Sequence, residues 1–132
     1  MKSYCFDASA LISYFDGEPN AMKVANILED INDNNLQSWL SVINLGEIYY
    51  HFLRTGGINT AQNILSLIKT LPVIITEAGE ELAVRAALLK AFNKMSYADC
   101  FAAALAKQNN ATLITSDREF KQLEKEIKIH WI

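Results

Sequence analysis

The chain has few cysteines and histidines, no long apolar run and no excess of basic charge, and each shortage closes off a class of protein. Cys5 and Cys100 are its two cysteines. They lack metal-ligand spacing, so two reduced core thiols are expected rather than a disulfide framework or a zinc site. The longest apolar run, Cys100 to Ala106, falls far short of the ~20 residues that cross a bilayer. The start of the sequence shows no secretion signal, so a cytoplasmic protein without membrane contact is expected. The two histidines, His51 and His130, fall on a helical stretch and on a candidate edge strand, where structural or solvated roles are expected. Lys and Arg number 12 against 15 Asp and Glu, a net charge of −3. That balance removes the long-range pull of a general DNA-binding protein, though an enzyme can still grip phosphates through bound cations and a few local side chains. No phosphate-binding loop, dinucleotide fingerprint or nucleophile elbow is present. An aspartyl-phosphate enzyme would want Asp-x-Asp after the first strand, and Asp7-Ala8-Ser9 lacks the second acid.

What remains is an ordinary globular composition. Hydrophobic residues make up 51% and charged residues 20% of 132, enough for one domain over residues 1–132 that buries roughly 65–70% of its extended surface. Three short apolar runs, Tyr4 to Phe6, Pro72 to Thr76 and Ala111 to Thr115, read as strands buried on both faces. Leu36 to Leu40 is a fourth, and Ile127 to Trp131 alternates as an edge strand would. Helical spacing predicts helices over 8–16, 20–33, 41–55, 58–70, 77–93, 96–109 and about 117–125. Ser41 and Ser96 read as N-caps, and Gly56-Gly57 as a left-handed stop. The pattern predicts an α/β fold, a mostly parallel five-stranded sheet flanked by helices.

Open parallel sheets bind ligands at the carboxyl ends of their strands, and here those ends carry acids. Asp7 follows the first strand directly, Asp117 comes two residues after Ala-Thr-Leu-Ile-Thr, and Asp99 lies in the first turn of the helix opened by Ser96. Glu47 lies on the third helix, nearly opposite the face formed by Val42, Leu45, Ile48, Tyr49 and Phe52. Each has a plainer explanation. Asp7 and Asp117 can cap the helices that follow them, Ser96-Tyr97-Ala98-Asp99 fits a capping box, and Glu47 alone fits a solvated surface acid. Together they say more, because clustered carboxylates raise one another's pKa and destabilise a fold unless a cation neutralises them. Oxygen ligands without a His or Cys cluster point to Mg²⁺ or Mn²⁺, and such a site suits phosphodiester hydrolysis without a histidine base.

Four blocks then carry a resemblance: Asp7-Ala8-Ser9-Ala10-Leu11-Ile12, Ser41 through Glu47, Ser96-Tyr97-Ala98-Asp99 with the apolar run after it, and Leu113-Ile114-Thr115-Ser116-Asp117-Arg118-Glu119-Phe120. In this order and spread end to end, they resemble the PIN-domain family, and within it the small VapC-type toxins of toxin–antitoxin pairs. The resemblance implies an acidic pocket of Asp7, Glu47, Asp99 and Asp117 that holds Mg²⁺ or Mn²⁺ and cleaves RNA. It also implies a polar shell of Ser9, Ser116 and, more weakly, Asn44, with Lys90, Lys94 and Arg118 bordering the pocket as candidate RNA contacts. For a toxin it implies an antitoxin partner. Apolar residues on the second to fourth helices, including Ile27, Tyr49, Tyr50 and Phe52, fit an antitoxin groove, a homodimer contact or simple core packing. Two other readings stay open: a housekeeping RNA-processing nuclease with no antitoxin, and a non-catalytic domain that binds RNA or protein.

Overall fold

Side chains of a strand alternate between the two faces of its sheet, and that period divides the apolar residues into two cores. In the first strand, β1 (Ser3–Phe6), Tyr4 and Phe6 pack into one cluster while Cys5 packs into the other. The chain continues through α1 (Ala8–Asp16), α2 (Ala21–Asp33), β2 (Gln37–Ser41), α3 (Val42–Ile68) and β3 (Ile74–Thr76). It then runs through α4 (Glu80–Phe92), α5 (Tyr97–Gln108), β4 (Thr112–Thr115), a 3₁₀ helix (Arg118–Leu123) and β5 (Ile129–Trp131). The computed structural model describes residues 2–132. The sheet order is β3-β2-β1-β4-β5, and every neighbouring pair is parallel.

Helices α1, α2 and α3 cover one face over Phe6, Leu40 and Ile114, all fully buried. Each such side chain contributes roughly 1.5–3 kcal/mol by leaving water, and truncating Ile114 to Ala would cost about 2–5 kcal/mol. Helices α4 and α5 cover the other face. From Cys100 to Ala106 every residue of α5 is buried, as befits a helix apolar all round, and its alanines allow close approach to the strands. Both cysteines are free and buried, with Cys5 Sγ donating to the Ala102 carbonyl at 3.6 Å. Among the described residues, no helix is long and apolar enough to cross a membrane.

The boundaries shift where local chemistry intervenes. The two helices expected over 41–55 and 58–70 form one run broken at Gly57, whose φ of 86° and ψ of 177° are open to glycine and strained for other residues. The third strand starts at Ile74 rather than Pro72, because Leu71 and Val73 N–H groups close tight turns onto Ile68 and Leu71. The helix expected from residue 77 begins at Glu80, the edge strand is Ile129–Trp131, and 117–125 forms a short 3₁₀ helix. Ile27 and Phe52 are 7% and 4% exposed and belong to the core. They are therefore not available to a partner groove, whereas Tyr50 remains half exposed.

Candidate functional site

The chain lays down β1 at the centre, builds outward to β2 and β3, then returns to place β4 on the other side of β1. Chain leaving β1 enters α1 on one face, and chain leaving β4 enters the 3₁₀ helix, whose Phe120 and Leu123 pack on the other. Between those divergent exits lies the crevice where open parallel sheets take ligands. Phe6 stands opposite Ile114 in the ladder, so the next residues, Asp7 and Thr115, meet at its floor.

Asp7 is 1% exposed and its carboxylate is held by three donors. Thr115 Oγ1 donates to Oδ2 at 2.5 Å, Ser9 Oγ to both oxygens at 2.8 and 2.9 Å, and Ala10 N to Oδ1 at 2.9 Å. The last of these is the N-cap bond of α1, so capping and site geometry coincide. Burial pushes the Asp7 carboxyl up to about 6, against the three donors and with help from the Asp117 charge. The same Thr115 hydroxyl accepts from Asp117 N at 2.9 Å, and Ser9 Oγ accepts from Ser116 N at 3.2 Å. Ser116 thus takes part in the Asp7 shell through its backbone.

Asp117 caps the 3₁₀ helix, accepting from Glu119 N at 3.0 Å. Asp99 N donates to Ser96 Oγ at 3.1 Å, one half of the capping box. Burial first, then the charges of Asp117 and Asp7, a hydrogen bond with Asp117 and the Glu47 charge push the Asp99 carboxyl up to about 7. Glu47 is half-buried. Asn44 Nδ2 donates to Glu47 Oε1 at 2.8 Å and to the Ala98 carbonyl at 3.1 Å, which ties α3 to α5. Burial raises the Glu47 carboxyl, the Asn44 bond lowers it and Asp117 raises it. The four acids singled out in the sequence therefore lie within each other's fields.

Two residues of this site escaped the sequence reading. Thr115 links Asp7 to the Asp117 backbone, and its signal was the strand register. Glu119, exposed, offers a carboxylate oxygen that lies, with one each from Asp99 and Asp117, in a set mutually within 4.8 Å. Asp7 and Glu47 fall outside that tight set. Its signal was the two-residue spacing from Asp117. Lys90 is engaged elsewhere, its Nζ donating to the Met95 carbonyl at 2.7 Å. Lys94 is exposed, its backbone locked to Gln122 by two hydrogen bonds. Arg118 sits 4.6 Å over the Trp131 ring. His51 pairs with Asp16 Oδ2 at 3.2 Å, and His130 is exposed on β5.

The residues present fit a hard divalent cation. The donors are all oxygen, no cation pairs with the Asp99, Asp117 and Glu119 carboxylates among the described residues, and the buried Asn44 Oδ1 has no hydrogen-bond partner.

Comparison with known proteins agrees with this architecture. The structure of VapBC2 from Rickettsia felis, bound to a DNA fragment from its promoter, includes a chain similar to this one at TM-score 0.78 and 19% identity, covering 97% of each. VapC20 of Mycobacterium tuberculosis, a toxin that cleaves the sarcin-ricin loop, matches at TM-score 0.71 and 14% identity over 90% of this chain and 93% of its own. A chain of FitAcB from Neisseria gonorrhoeae matches at TM-score 0.68 and 21% identity over 96% and 95%. No curated protein sequence matches the chain. The PIN-domain family model matches residues 4–126, all five acids of the crevice included, and the chain belongs to the PIN-domain family.

Proposed function

We propose that this protein is a Mg²⁺- or Mn²⁺-dependent endoribonuclease, the toxin of a toxin–antitoxin pair, acting in the cytoplasm and held inactive by a cognate antitoxin. The observation that carries the reading is the crevice itself: carboxylate oxygens of Asp99, Asp117 and Glu119 within 4.8 Å of one another, above a buried Asp7. Like charges at such spacing repel unless a cation joins them. A toxin–antitoxin complex from Klebsiella pneumoniae among the structural neighbours supports the antitoxin partner.

In this reading Asp99, Asp117 and Glu119 would hold the cation, with Asp7 and Glu47 adding negative charge beside them. A bound divalent ion supplies an activated water and neutralises charge on the phosphate during in-line displacement. The protein's own part is to keep those carboxylates in place before the substrate arrives. Thr115, Ser9 and Ala10 N fix Asp7, and Asn44 fixes Glu47, so little reorganisation is needed as charge develops. Burial and the neighbouring carboxylates push the Asp99 carboxyl up to about 7, and a cation held beside it would favour its ionised form.

The test is cleavage of RNA by the purified protein in Mg²⁺ or Mn²⁺, with and without chelator, and mapping of product ends. Cleavage lost in chelator and products bearing a 5′-phosphate are expected. A 2′,3′-cyclic phosphate product, or cleavage indifferent to chelator, would reject the mechanism. A short protein that co-purifies with this chain and blocks cutting would mark the antitoxin; a cleavage that no partner restrains would favour a housekeeping nuclease.

A further inference from the structure

A second concave feature lies away from the acids, along the outer strand of the sheet. It is a cavity of about 370 Å³ between the end of α5 and the segment leading into β5, and its lining includes Lys107, Asn110, Lys125, Lys128 and Trp131. In a chain of net charge −3, three lysines around one hollow are a local reversal of sign, and association depends on local rather than total charge. Glu124 and Glu126 also line it. Among the described residues, none of the three lysines forms an ion pair. They stay free for an outside anion.

Trp131 joins this hollow to the acidic crevice. It lines the cavity, carries the Arg118 guanidinium 4.6 Å above its ring, and pairs in register with Thr115, the residue that holds Asp7. Arg118 follows Asp117 directly in the chain. From Lys128 to Trp131 the strand climbs about 10 Å at ~3.3 Å per residue, leading from the lysines up to the acids. Lysines that follow a backbone, beside an indole and a guanidinium that stack on bases, are the two ingredients of a single-strand track.

We infer that the groove along β5, with Lys107, Lys125 and Lys128 on its rim and the Arg118–Trp131 pair at its head, holds the backbone of single-stranded RNA and leads it to the acidic crevice. The inference rests on the ribonuclease reading for the identity of the strand, and places its path on one side of the molecule. An acidic protein tail would use the lysines but has no bases for the Trp131 ring, which favours RNA.

Two measurements that do not require cleavage test it. The first is binding of a labelled single-stranded oligoribonucleotide by the full chain in Ca²⁺, followed by fluorescence anisotropy at several salt concentrations. Each lost phosphate contact should flatten the slope of log K against log salt by about 0.7. Lys125→Ala with Lys128→Ala should therefore flatten it by about 1.4 and weaken binding roughly tenfold at low salt. The second uses Trp39→Phe, which leaves Trp131 as the single tryptophan. Its emission should be quenched as RNA is added, half-saturating where the anisotropy does. An unchanged slope in the double variant with no quenching would overturn the groove, even if RNA is cut. Quenching and a flattened slope with no cleavage would keep the groove and reject the nuclease. Displacement of the RNA by polyglutamate with equal potency in wild type and in Trp131→Ala would assign the groove to an acidic protein segment instead.

Discussion

Asp7 and Asp117 each follow one of two adjacent parallel strands, and each accepts a backbone N–H from the helix it starts, yet Asp7 is sealed at 1% exposure while Asp117 stays half-buried. The sealed acid has three protein donors and a fixed position. The open one shares its surroundings with Asp99 and Glu119, with one carboxylate oxygen of each within 4.8 Å of the others. One fold thus gives the same residue type two environments: a rigid anchor charged at a cost, and a wall that a cation can close.

Breaking the anchor should have the largest effect. Asp7→Asn preserves size and capping but removes charge, and RNA cleavage should fall by about 10²–10³-fold, while thermal stability in chelator holds or rises. Thr115→Val comes next, because it removes one hydroxyl that serves both acids. Cleavage should drop about 10–100-fold, and urea unfolding should show a loss of about 1–3 kcal/mol, because Asp117 N–H loses its acceptor and Asp7 Oδ2 keeps only the Ser9 hydroxyl. A variant as stable and active as wild type would dissolve the distinction between anchor and wall.

The pH dependence sharpens the comparison. Folded Asp7 and Asp99 have values of about 6 and about 7, above their ordinary 3.8. Between about pH 4 and 7 the folded chain therefore holds more protons than the unfolded one, and its stability falls as pH rises through that window. Differential scanning fluorimetry in chelator should show a lower Tm at pH 8 than at pH 5. Mn²⁺ should raise Tm by about 2–5 °C at pH 8 and by less at pH 5, where protons occupy the ligands. The smallest effect belongs to Glu119→Gln at the rim: a loss of cation affinity of about tenfold or less, read by titrating cleavage rate against Mn²⁺.

Much of this was legible before any coordinates. Short apolar runs revealed three of the strands because parallel strands are apolar on both faces, alternation revealed the edge strand, and the acids after Phe6 and after Thr115 could be placed at one edge by topology alone. What escaped had a different physical origin. Glu47 was named with the other acids, yet taken alone it looked solvent-facing because a helical wheel shows only its own helix, and here α5 packs across that face through Asn44 and Ala98. Ile27 and Phe52 looked available because amphipathic spacing does not say which neighbour covers a face. The break at Gly57 was announced by the Gly56-Gly57 pair, whereas the 3₁₀ turn over Arg118–Leu123 depends on backbone geometry that residue spacing records poorly. Glu119 was passed over as one exposed acid among many, and only the distances to Asp99 and Asp117 set it apart.

The hydrogen bond from Thr115 to Asp7 joins positions 108 residues apart. A ribosome that has released only the first hundred residues has released Asp7 and Glu47 without the strand that supplies Thr115 or the turn that carries Asp117. The centre therefore comes together only once β4 and Asp117 have emerged, and a nascent chain stopped before them would be unarmed.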